Sequence, residues 1–179
     1  MHVFDEQGKL SFETSSGPAT MSEDARHRSF GWTADGRKFV TVSHAGLVEV
    51  RDATDGRVLL AFEAPDECYG HFARLHVAPD GERFVASYSE VELAYVWSAS
   101  EGRAGELRIP TESAGEPVAW LAADELAVAT PRGVDVLALG ASTTSRIDGT
   151  GPGADVYADS ASGRLAIVQE AHLTLVERR

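Results

Sequence analysis

Asparagine is absent from these 179 residues, cysteine occurs once, and lysine only twice, at Lys9 and Lys38. Each shortage excludes something. With Cys68 alone no disulfide can form within the chain, so covalent staples contribute nothing to the fold, and the expected location is reducing and cytoplasmic. No apolar run approaches the ~18 residues a membrane span needs. The opening stretch "MHVFDEQGKLSFE" has no basic region followed by an apolar core, so no secretory signal is expected. Positive charge is also scarce. Sixteen basic residues face 28 acidic ones, a net charge of −12. Such a chain repels phosphate backbones, so neither nucleic acid nor membrane is expected as a partner.

What is present is repetition. The clearest copies are "GWTADGRKFVTVSHAGLVEVRDATDGRVLLAFE" and "HVAPDGERFVASYSEVELAYVWSASEGRAGELRI", with Asp35-Gly36 and Asp80-Gly81 45 residues apart. A period of that size is the first thing to settle in a sequence, because it dictates the architecture. One apolar stretch recurs four times, as Phe39-Val40-Thr41-Val42, Phe84-Val85-Ala86-Ser87, Leu126-Ala127-Val128-Ala129 and Leu165-Ala166-Ile167-Val168. Short, near-continuous apolar runs between Asp-Gly or Ser-Gly turns are strands buried on both faces, not helices. An apolar stretch precedes each of them (Phe30 and Trp32; Leu75 and Val77; Val118 and Trp120; Val156 and Tyr157). A third strand follows, around Val48–Arg51, Ala94–Trp97, Val134–Leu137 and Leu173–Val176, with one face alternating. A fourth is clear at Val58–Phe62 and Leu107–Ile109 and weaker at Ser145–Ile147.

Four antiparallel strands per unit of roughly 40–45 residues make the blade of a β-propeller. The expected fold is all-β: one domain over 1–179, with about four four-stranded antiparallel blades at 27–63, 71–110, 115–148 and 154–179, and a ring that need not be complete. The last unit stops at its third strand. Residues 1–13 form a hairpin able to supply the missing outer strand, although that hairpin also carries a third strand that would compete with 172–176 for one slot. Residues 14–28 and 148–155 are connectors.

The unit resembles the WD-repeat family of β-propellers. Thr33-Ala34-Asp35-Gly36 and Ala78-Pro79-Asp80-Gly81 stand at the first turn. Val96-Trp97 and Val50-Arg51-Asp52 stand where the family's Trp-Asp falls, and Gly70-His71 is similar to its Gly-His pair. The motifs cover about residues 27–110. Arg51 replaces the family's Trp in one unit and Ser98 its Asp in the other. The resemblance implies a non-catalytic protein-interaction module. Propeller enzymes of the lactonase kind hold a central calcium with Glu, Asp and commonly Asn; a chain without Asn is not expected to carry that centre.

The chemistry-bearing residues agree with a non-enzymatic reading. None of the six histidines (His2, His27, His44, His71, His76, His172) shows a close ligand spacing. Cys68 lies among carboxylates that disfavour its thiolate. No nucleophile elbow or phosphate-cradling loop occurs. No cofactor or metal is expected. One rim, however, collects the loops that carry Glu63, Asp66, Glu112, Glu116, Asp148 and Glu170 around a core group of Glu67, Tyr69, His71, Tyr88, Glu90 and Glu92. That group is the candidate binding surface for a protein partner with a basic face, its charges speeding encounter and its aromatics anchoring. The alternatives are a ligand or substrate site in the central channel near His76, and a chain that completes its ring by self-association.

Overall fold

The computed structural model describes residues 2–4, 10–13, 27–111, 117–140, 144–159, 164–170 and 172–177. Glu112 and Glu116 lie outside the described residues. The first pair of strands, β1 (His2–Phe4) and β2 (Leu10–Glu13), forms a two-stranded sheet. Blade 1 contains β3 (His27–Trp32), β4 (Lys38–Ser43), β5 (Leu47–Asp52) and β6 (Val58–Glu63). Blade 2 contains β7 (Arg74–Val77), β8 (Arg83–Tyr88), β9 (Leu93–Ser98) and β10 (Gly102–Pro110). Blade 3 contains β11 (Val118–Ala122), β12 (Glu125–Thr130), β13 (Gly133–Ala138) and β14 (Thr144–Arg146). Blade 4 contains β15 (Asp155–Asp159), β16 (Arg164–Gln169) and β17 (His172–Glu177).

Every pairing is antiparallel between chain neighbours, so each sheet is a meander. The first strands stand side by side in chain order: β3 against β7, β7 against β11, β11 against β15. The architecture is therefore all-β, four antiparallel sheets fanned in an open ring. Among the described residues the fourth blade has three strands, as its sequence unit does, and β2 pairs with β1.

Turn chemistry sets the blade geometry. The Asp35 carboxylate accepts the backbone N–H of Arg37 and the Thr33 hydroxyl, while Gly36 adopts φ +67°. Asp80 accepts the N–H of Glu82 in the same way beside Gly81 at φ +73°. Left-handed backbone at these positions favours glycine.

Period two gives each strand two faces: a near face toward the preceding blade and a far face toward the following one. The far face of blade 1 (Val40, Val42, Val48, Val50) packs on the near face of blade 2 (Phe84, Ala86, Tyr88, Tyr95, Trp97). Val85, Ala94, Val96 and Ile109 then meet Val118, Trp120, Leu126 and Val128. Ala119, Leu121, Ala127, Val134 and Val136 meet Val156, Leu165 and Ile167. Gly31 is needed for the first junction, since a Cβ there would meet Val77 Cγ2 at 2.9 Å.

The third strands differ from expectation. β5, β9 and β13 are buried on both faces rather than alternating. Polar pairs make this tolerable. On the near face of β5, Arg51 gives two hydrogen bonds from one nitrogen to the Glu49 carboxylate, at 3.0 and 2.9 Å, and another to the Gly56 carbonyl at 2.8 Å. On β13, buried Asp135 takes Arg146 Nε at 2.8 Å. Buried charges survive when paired and hydrogen-bonded.

Candidate interaction rim

Three connections meet at one edge of blades 1 and 2: β4–β5, β6–β7 and β8–β9. The β6–β7 connection turns through a single 3-10 turn at Asp66–Cys68, and the β8–β9 connection through another at Ser89–Val91. Cys68 anchors the first loop in the core. Burial, reinforced by the Glu67 charge, pushes its thiol up to about 12, so it remains a neutral packing group and not a nucleophile. The N–H of Gly70 donates to the His44 carbonyl at 2.9 Å, joining the first two loops. Phe72 sets its ring edge-on to His44 at 5.8 Å. His71 Nδ1 and Glu90 Oε2 lie 2.6 Å apart, joining the second loop to the third.

The structure gathers four of the six expected residues at this surface. Tyr69 is exposed, His71 half-buried, and Glu90 and Glu92 exposed. Phe72, exposed beside them, was missed by sequence reasoning; only its place next to Gly70-His71 pointed to it. The other two need correction. Tyr88 is buried among the junction aromatics, 6.5 Å from Tyr95, and offers no surface. Its position at the end of a strand looked like a loop, but it lies on the near face. Glu67 is exposed, but its carboxylate is engaged: it accepts the Tyr95 hydroxyl at 2.6 Å and stands 3.6 Å from Arg108. The Tyr95 hydrogen bond, with help from Arg108, holds Glu67 below the usual carboxylate range. This clasp therefore contributes stability above the ordinary glutamate pKa and loses it as pH falls through the lowered value.

Glu92 has φ +55° immediately before β9, where blade 1 has Gly46 at φ +75° before β5; Glu170, in the β16–β17 connection, has φ +54°. Left-handed backbone costs a non-glycine residue about 1–2 kcal/mol. Glu92→Gly is expected to stabilise the chain by about 0.5 kcal/mol once glycine's greater unfolded-state freedom is subtracted. A urea titration checks this; an unchanged or lower midpoint would show that the turn stores no strain.

At the centre, His76, Val77, Val118, Ala119, Trp120, Val156, Tyr157 and Ala158 line a groove of about 380 Å³. It is mostly apolar, and Trp120 Nε1 is already committed to the His76 carbonyl at 3.0 Å. Among the described residues no three His, Cys, Asp or Glu side chains converge as metal ligands. Among the same residues no helix is long and apolar enough to cross a membrane.

No protein-family model matches the sequence, and no curated protein matches it significantly. Solved structures do match. The C-terminal WD40 domain of Sif2 superposes with a TM-score of 0.67 at 15% identity, covering 88% of this chain and 45% of that one. The β-propeller domain of Myceliophteria thermophila Cps50 (Swd1) gives 0.62 at 14%, covering 93% and 54%. The computationally designed Ika4 protein gives 0.60 at 11%, covering 93% and 99%. At these identities the likeness shows the fold alone: an all-β, propeller-like assembly of blades. The chain spans about half the length of the Sif2 and Cps50 domains.

Proposed function

We propose that the chain is a non-catalytic interaction module that binds the basic surface of a protein partner through the rim of blades 1 and 2. The observation that carries this reading is that Tyr69, His71, Phe72, Glu90 and Glu92 stand on two neighbouring loops joined by the His71–Glu90 contact, with Tyr69, Phe72, Glu90 and Glu92 exposed. Exposed carboxylates raise the encounter rate with a basic partner, and aromatic side chains on ordered loops supply anchoring area at low entropic cost. The WD40-like fold supports a scaffold role, and the apolar central groove favours it over channel chemistry.

The test uses immobilised Arg- and Lys-rich peptides bearing apolar residues. Glu90→Lys/Glu92→Lys is expected to weaken binding about tenfold, mainly through slower association, and Tyr69→Ala about tenfold through faster dissociation. Equal binding by wild type and the charge-reversed variant would overturn the reading.

A further inference from the structure

Aromatic rings fill the outer part of the first blade junction and are missing from the second. Strand pairing makes Tyr95 and Trp97 of blade 2 equivalent to Asp135 and Leu137 of blade 3. Ala86 and Phe84 stand opposite the first pair, Val128 and Leu126 opposite the second. On the outer strands of the preceding blades, Phe62 and Ile109 are equivalent in the same way, opposite Val48 and Ala94. At the first junction Phe62, Tyr95 and Trp97 pack ring on ring, and Tyr95 and Trp97 are fully covered. At the second, Ile109, Asp135 and Leu137 fill far less volume. A groove of about 670 Å³ is left between β10 and β13, walled by Leu107, Ile109, Pro110, Val128, Leu137 and Leu139. That is the size of a small-molecule site. Its charges are uneven. Asp135 is neutralised by Arg146 at 2.8 Å. Arg108, also beside the groove, is committed to the Tyr95 hydroxyl and Glu67. Arg132, exposed in the β12–β13 turn, lines the same groove, and among the described residues no carboxylate pairs with its guanidinium.

We propose that this groove binds a small aromatic carboxylate. The ligand's ring takes the place beside Ile109 and Leu137 that the Trp97 indole fills at the junction before, and its carboxylate lies toward Arg132. Volume selects the ring, because the side chains that the second junction lacks are aromatic, and apolar walls favour an apolar occupant. Charge selects the carboxylate. Among the described lining residues the uncommitted charge is a guanidinium, whose planar fork takes a carboxylate through two parallel hydrogen bonds. A neutral or cationic ligand leaves that pairing unused. The first junction already holds a comparable set made from the chain's own residues. There the Trp97 indole lies against the Glu106 carboxylate, which Arg103 holds at 2.9 Å. The groove shares no residue with the rim group of blades 1 and 2, and the proposal does not rest on that group's role.

Calorimetric titration of the full chain with naphthoate, and with naphthalenemethanol as its uncharged counterpart, tests the proposal. Naphthoate is expected to bind with a Kd below about 1 mM, and the alcohol about tenfold more weakly. Arg132 is exposed, so Arg132→Gln should keep the circular dichroism of the wild type while removing the preference for the carboxylate. Added salt should narrow that preference as well. Leu137→Trp places in blade 3 the ring that Trp97 supplies in blade 2. It should weaken both probes at least about tenfold by filling the groove, without lowering the melting temperature. The rim variant Glu90→Lys/Glu92→Lys should leave naphthoate binding unchanged. No binding of naphthoate at millimolar concentration would overturn the proposal. So would equal affinity of the wild type for the two probes, a carboxylate preference that survives Arg132→Gln, binding that a folded Leu137→Trp variant retains in full, or binding lost on rim reversal.

Discussion

Trp97→Ala is expected to cost about 3–5 kcal/mol of stability and to lower the melting temperature by about 10 °C. The indole is fully buried at the junction of blades 1 and 2. It stacks on Tyr95 at 5.6 Å with 7° between the planes, meets Phe62 edge-on at 5.5 Å, and lies 5.8 Å from Phe84. Its Nε1 donates to Glu106 at 2.6 Å, and that carboxylate also takes two bonds from Arg103. Truncation opens a cavity that strands on both sides cannot fill, because each is held by its ladder. Trp97→Phe should recover most of the packing but not the Glu106 hydrogen bond, leaving a deficit of about 1 kcal/mol. Thermal and urea unfolding of the three proteins measure this. A loss under ~1 kcal/mol for the alanine variant would mean the blades pack independently of this ring.

Arg51→Met should be nearly as damaging, again about 3–5 kcal/mol. The Arg51 and Glu49 side chains are 10% and 9% exposed, and the guanidinium serves both carboxylate oxygens and the Gly56 carbonyl. Methionine fills similar volume but removes the charge that compensates Glu49. Glu49→Leu/Arg51→Met together should return to within about 1 kcal/mol of wild type, since an apolar pair carries no desolvation cost. Urea titrations of the single and double variants decide the matter. A double variant as unstable as the single one would place the cost in packing, not in charge.

These two positions show how far the residues could be read. Arg51 and Trp97 are equivalent by register, paired with Phe39 and Phe84. Their equivalence was legible from the repeat. What each does was not. A charged residue at a strand position ordinarily signals an exposed face. Only the presence of Glu49 two residues away on the same face, both covered, makes it a buried pair. The rim divides in the same way. Tyr69, His71, Glu90 and Glu92 lie in connections whose surface position follows from topology. Tyr88 ends a strand, and whether it turns outward or inward depends on the depth of the neighbouring blade, which no local pattern reports.

Strand number, antiparallel meander and blade order were determined by the sequence itself, because period-two burial and tight turns act over a few residues and the apolar strand pattern repeats four times. The tertiary structure alone decided which blade faces are covered, that Glu67 is clasped by Tyr95 and Arg108, and that Leu173 and Leu175 are exposed. Those outcomes depend on contacts between residues far apart in the chain, whose energies are set by what arrives opposite each side chain rather than by the side chain alone.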